Sequence, residues 1–258
     1  MESETSLEFE YSRGTEEPPI SAADIIGADE RQQLQNTLTL DLRMLVRLKV
    51  HLPGLPPRRA TGFMISPATV LTAGHALCSR LVSGKVVRAT QAFAAAASAG
   101  PNQYPFNDLV CAEFAVAQQF LANQNPLFDY GVVQLPEPLG DKIGFFGVRL
   151  FQDSHLQNRP FILAGFPDAE PPRPERPKPI VEDTMWGMMG PVAGAPQFLT
   201  YVLDATTGQS GSPIYSRFQE NGKTVLLAAG LHQGGNFQQN HAVRFRPDIL
   251  QEIGPWRQ

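Results

Sequence analysis

Two cysteines in 258 residues are too few for a disulfide framework, which excludes the small cross-linked secreted scaffolds. Cys78 and Cys111 read first as buried or free thiols, with a bridge between them left open. No Cys/His spacing resembles a zinc site, so no metal and no cofactor is expected. Long apolar runs are missing as well, and nothing is long enough to cross a bilayer as a helix, so no membrane partner is expected. Nor is there an excess of positive charge. The formal net charge is −4, which leaves no basic footprint for nucleic acid. The first residues, Met1 to Glu10, are acidic and lack the basic-then-apolar order of a secretory signal. The expectation is a cytoplasmic protein, or one trimmed of an export signal.

What the chain has in quantity is turn formers among short apolar runs. With 42% hydrophobic residues it can bury a large core, and 22 Gly and 23 Pro suit many short strands. Residues 1–24 are polar and non-periodic, a tail outside the core. Val46 to Leu52 alternates as a half-buried strand should, and further strands are expected at Thr61 to Ile65, Val70 to Ala73, Val82 to Ala89 and Ala112 to Ala117. The Ala-rich stretch Ala92 to Ala99 is taken as a surface helix or loop. Pro136 to Gly140 punctuates the chain as a linker. Gly147 to Leu150, Pro160 to Gly165, Phe198 to Leu203 and Val225 to Leu231 read as strands of a second half. Six prolines between Pro167 and Pro179 make a stiff loop, solvated or rimming a site. Pro247 to Ile253 has the spacing of a short helix opening on proline.

The chemistry centres on Thr206-Thr207-Gly208-Gln209-Ser210-Gly211-Ser212-Pro213. Small neighbours let Ser210 present its hydroxyl, while backbone amides point at a carbonyl under attack. Ser212 stands where a G-x-S-x-G elbow needs glycine, which argues against the strand-to-helix hydrolases. A serine hydroxyl needs a base, and that base needs an acceptor on its other nitrogen. His75 closes the apolar run Thr61 to Gly74, and Asp129 enters a strand at Phe128-Asp129-Tyr130-Gly131. The order His, Asp, Ser is that of chymotrypsin, not of subtilisin or the α/β-hydrolases. His51, His155 and His241 have no companions at ligand spacing.

These stretches, with Ile25-Ile26-Gly27-Ala28-Asp29-Glu30-Arg31, Gly144-Phe145-Phe146-Gly147, Ala164-Gly165-Phe166-Pro167, Met185-Trp186, Gly230-Leu231-His232-Gln233-Gly234-Gly235 and Ala242-Val243-Arg244, resemble the trypsin-like serine peptidases. Within them the bacterial glutamyl endopeptidases are the nearest likeness. The resemblance runs from Ile25 almost to the C-terminus. It implies an all-β fold of two six-stranded antiparallel barrels with a short C-terminal helix. The parts would be a tail or prosegment over 1–24, a first barrel over 25–135, a linker over 136–146 and a second barrel over 147–258.

By the same resemblance, His75, Asp129 and Ser210 cleave peptide bonds through an acyl-enzyme, and the amides of Gly208 and Ser210 form the oxyanion hole. Substrates would be proteins or peptides. A matching α-amino group near Ile25 would help receive an acidic side chain, and removal of 1–24 by an activating protease, or a partner, would switch a latent form on. The cysteine bridge that often flanks the catalytic histidine in secreted members is absent. Gln209 stands where digestive enzymes keep the aspartate that binds the freed N-terminus, so that salt bridge is not expected. His232 would meet a Glu, or Asp, side chain before the scissile bond. Ala205 replaces the usual hydroxyl there, leaving Thr206 or Thr207 to substitute, and Asp204 sits where trypsins select Arg and Lys. The rival readings are a peptidase of other preference, an esterase on the same residues, and a non-catalytic binding module.

Overall fold

The computed structural model describes residues 25–174 and 176–257; the expected tail or prosegment over 1–24 lies outside them. Among the described residues two large β-sheets account for most of the regular structure. The first is wholly antiparallel and runs, edge to edge, Leu109–Cys111, Gln91–Ala96, Leu45–His51, Arg58–Met64, Thr69–Thr72, Gly131–Gln134 and Glu113–Val116. It curls nearly into a barrel. A small hairpin, Cys78–Arg80 with Val86–Arg88, stands beside it.

The second sheet runs Gln32–Gln33, Trp186–Gly190, Phe161–Gly165, Pro213–Glu220, Lys223–Gly235, Asn240–Arg244, Phe198–Tyr201 and Ala193–Gly194. Gly147–Val148 joins it in parallel against Leu227 and Ala228. The all-β, chymotrypsin-like architecture expected from the motifs is therefore present. Short pairs appended at the edges make the sheets wider than six strands each. The helix over Pro247–Ile253 has the expected bounds and buries Ile249 and Ile253.

Three local expectations are corrected. Ala92 to Ala99 is neither a surface helix nor a loop. Its first part is the strand Gln91–Ala96, paired with Leu45–His51 from Val46↔Ala96 to His51↔Gln91. Ala92, Ala94, Ala95 and Ala96 are at most 1% exposed. Alanine has little strand preference of its own, but its small side chain fits a packed sheet face, so tertiary context decides. Val82 to Ala89 is the turn and second strand of the small hairpin, because the strand before it, Cys78–Arg80, pairs backwards onto it. The linker, finally, is not merely a connection. Phe146 at its end is fully buried and meets Phe63 of one sheet at 5.5 Å and Tyr215 of the other at 5.0 Å, both edge to face. One apolar cluster thus extends from the first sheet through Phe146 to Tyr215, Leu226 and Val243 of the second.

Candidate active site

The cleft between the sheets, of roughly 500 Å³, is lined by His75, Ala76, Arg58 and Arg59 from one side and by Asp168, Thr207, Gly208 and Ser210 from the other. His75 sits in a single helical turn, Gly74–Leu77, directly after the strand Thr69–Thr72. Asp129 follows the short turn Pro126–Phe128, which begins where the Asn125 side chain accepts from the Leu127 amide at 2.9 Å. These two local features bring the pair together. The Nδ1 of His75 lies 2.6 Å from Asp129 Oδ2, and the His75 amide donates to Oδ1 at 2.7 Å.

Asp129 has no exposed side-chain surface, whereas His75 keeps 27% of its own. A buried carboxylate gripping one ring nitrogen fixes the tautomer that leaves the other free to accept a proton. Gln233 completes the grip and was not anticipated as a site residue: its Nε2 donates to Asp129 Oδ2 at 3.0 Å and to the Pro126 carbonyl at 2.9 Å. Its presence in the Gly230-to-Gly235 motif was the only signal. Arg58 supports the base from behind, donating to the His75 carbonyl at 2.7 Å.

Ser210 lies in the same cleft, and its hydroxyl donates to the Gln233 carbonyl at 3.4 Å. Gly208 has φ +94°, and a Cβ there would meet the Phe166 carbonyl at 2.6 Å and the Asp168 amide at 2.7 Å. Only glycine makes this bend without strain. Among the described residues the Gly208 and Ser210 amides donate to no backbone carbonyl, while the Gln209 and Ser212 amides close turns at 3.0 Å onto Thr206 and Gln209. Two amides left open on either side of Gln209 in this way suit a developing oxyanion.

The residues expected around the substrate side chain divide. His232 is fully buried beneath the loop, its amide donating to the Ser212 carbonyl and its carbonyl accepting from the Gly211 amide, both at 2.7 Å. Its Nδ1 meets the Tyr201 hydroxyl at 2.7 Å, and its Nε2 has no partner. Burial, with His241 and His75 nearby, pulls its pKa down to about 3. Thr207 lines the cleft, but Thr206 and Asp204 are occupied elsewhere. Thr206 donates to Glu170 and accepts from Arg31, each at 2.6 Å. Asp204 accepts from the amides of Ile26 at 2.8 Å and Glu30 at 2.9 Å. Burial raises its pKa, the two amides oppose that, and Asp29 adds to it.

Both cysteines are free and buried, and burial pushes each thiol up to about 11.

No protein-family model matches the chain. An extracellular metalloprotease of Bacillus subtilis (strain 168) is 27% identical over 243 residues, covering 92% of this chain and 71% of that protein. A glutamyl endopeptidase of Bacillus licheniformis is 26% identical over 250 residues, covering 93% and 71%. Among the described residues no three His, Cys, Asp or Glu side chains stand together as the metal in the first name would require. Among solved structures, a Glu endopeptidase in complex with MPD superposes with a TM-score of 0.70 at 18% identity, covering 90% of this chain and 99% of that one. Protease Anisep from Arthrobacter nicotinovorans does so with 0.65 at 17%, covering 87% and 98%. The chain therefore has the chymotrypsin-like fold and is similar in sequence to a glutamyl endopeptidase.

Proposed function

We propose that the chain is a serine endopeptidase that cleaves peptide bonds through an acyl-enzyme, with Ser210 as nucleophile, His75 as base and then acid, and Asp129 as orienter. The observation that carries this reading is the His75–Asp129 pair at 2.6 Å facing the same cleft as Ser210 and the left-handed Gly208. In the attack, the Ser210 proton passes to His75 as the Oγ–carbon bond forms, and the resulting imidazolium is stabilised by the buried Asp129 carboxylate. The negative oxygen falls to the Gly208 and Ser210 amides. His75 then returns its proton to the leaving amine.

The preferred residue before the scissile bond is Glu, with Asp second. Support comes from His232, whose buried Nε2 below the nucleophile loop is one of the polar atoms there without a partner, beside Gln209 Nε2, Ser212 Oγ and Gln233 Oε1. With the Tyr201 hydroxyl donating to Nδ1, the neutral ring presents an Nε2–H donor to a carboxylate. Asp204 does not compete as a selector of Arg or Lys, because two backbone amides hold its carboxylate.

The test is cleavage-site mapping by mass spectrometry on a denatured protein mixture, with Ser210→Ala in parallel. Cuts after Glu that vanish in the variant are expected. Cuts that persist in the variant would remove Ser210 from the mechanism, and serine-dependent cuts after Arg or Lys would overturn the acidic preference.

A further inference from the structure

Residues 25–34 come first among the described residues yet lie against the second sheet. Gln32 and Gln33 pair with Gly187 and Trp186, and the Leu34 amide donates to the Met185 carbonyl at 2.9 Å. This places Arg31 under the nucleophile loop with its side chain fully buried. Its guanidinium is held in a fixed plane by Asp29, Nε to Oδ1 and Nη2 to Oδ2 both at 2.9 Å. Asp29 in turn accepts from Arg176 Nε at 2.8 Å, and Arg176 Nη2 reaches Glu170 at 3.0 Å.

The remaining donor edge of Arg31 faces the loop. Its Nη1 reaches Thr206 Oγ1 at 2.6 Å and Gln209 Oε1 at 3.0 Å, and the same Gln209 oxygen accepts from the Thr206 amide at 3.1 Å. One guanidinium therefore grips both ends of the turn Thr206–Gln209. Gln209 lies between the two residues whose amides form the oxyanion hole. Parallel amide dipoles with no acceptor repel one another, and rotating one peptide plane relieves that at the cost of the hole. A tethered Gln209 side chain opposes the rotation, because the Gln209 Cα anchors one end of the peptide that carries the Ser210 amide, and the Gln209 amide itself closes the turn onto the Thr206 carbonyl at 3.0 Å.

We propose that Arg31, locked by Asp29, is a positioning residue that holds the Thr206–Ser210 turn in its oxyanion-binding form, so that a cation from within the chain supports the loop. This rests on the peptidase reading for its kinetic consequence. It differs from support by a freed α-amino group in that Gln209 has no charge to pair with one, but offers a neutral oxygen to a rigid fork of donors.

Arg31→Ala should lower kcat by roughly the 10²–10³ worth of one oxyanion donor, with KM changed less than threefold. Millimolar guanidinium should restore part of the loss, and sodium chloride at equal ionic strength should not. A purely structural role would change the melting temperature without guanidinium-specific recovery. Because Arg31→Ala strips the buried Asp29 of one of its two arginine partners and can fail to fold, Gln209→Leu is its companion: it deletes the acceptor, keeps the Arg31–Asp29 pair, and should show the same fall in kcat. Retention of kcat within threefold in the folded variants would overturn the proposal.

Amide hydrogen exchange over residues 204–211 supplies a readout free of activity. Exchange should quicken at least tenfold in either variant, and unchanged exchange would overturn the proposal even if the wild-type chain cleaves nothing. A silent wild type, by contrast, counts against the peptidase reading alone.

Discussion

At the scale of single residues, the burial of His232 makes folding sensitive to acid. Its pKa falls from the ordinary 6.5 to about 3 on folding. Between those values the unfolded chain binds a proton that the folded one refuses, so stability present above pH 6.5 drains away as the pH falls toward 3. The slope is at most about 1.4 kcal/mol per pH unit for one group. His241, also lowered by burial, acts in the same sense, while the raised carboxyls of Asp168 and Asp204 act against it above their ordinary 3.8. The melting temperature of the wild type should therefore fall between about pH 6.5 and 4, and His232→Gln should fall less steeply; equal slopes would show that His232 is not the source. His75, Asp129 and Ser210 were legible because each sits in a short motif whose chemistry is local. Gln233, Tyr201 and Arg31 were not, because their partners lie 104, 31 and 178 residues away and nothing in the intervening sequence encodes that approach.

At the scale of elements, the nucleophile loop is built around backbone that tolerates no side chain. Gly211 has φ +87°, and a Cβ there would come within 2.2 Å of the Thr61 carbonyl and 2.8 Å of the Ala73 amide. Gly222 has a similar φ of +74° in the hairpin turn, with open space around it. Gly211→Ala should accordingly cost at least ~3 kcal/mol, conformational strain plus overpacking against immovable backbone, and Gly222→Ala only ~1 kcal/mol of strain. Urea unfolding of the two variants checks this, and equal losses would put the whole effect in φ. Elements with a strong internal period or a proline start, such as Leu45–His51 and Pro247–Ile253, were readable in advance. The alanine strand was not, since its burial is dictated by Leu45–His51 alongside it. The Pro-rich loop reads as solvated by composition, yet Arg176 within it is only 5% exposed and carries the Asp29 contact.

At the scale of the molecule, the C-terminal helix straps the second half of the chain onto the first. Ile249 and Ile253 are buried in the cluster shared by the two sheets, the Tyr130 hydroxyl donates to Glu252 at 2.5 Å, and the Thr69 hydroxyl donates to the Trp256 carbonyl at 2.7 Å. Ile249→Ala should cost ~2–5 kcal/mol, a drop of roughly 5–15 °C in melting temperature, and the proposed peptidase activity should be lost in step with it because His75 and Ser210 are carried by connections of different sheets. Activity surviving above the calorimetric transition would separate the strap from the site. The two-sheet plan was implied by the resemblance to the trypsin-like peptidases; the single core running through Phe146 was not, because a linker and a core strand-end look alike in composition. The Arg31 grip has a consequence in time. During synthesis Asp29 and Arg31 leave the ribosome early, but Asp204, Thr206 and Gln209, which they or their neighbours hold, lie 174 to 178 residues further on. A loop braced from so far upstream cannot be set until both stretches have been made, so the site proposed above is complete only once residues 29–31 and 204–210 have met.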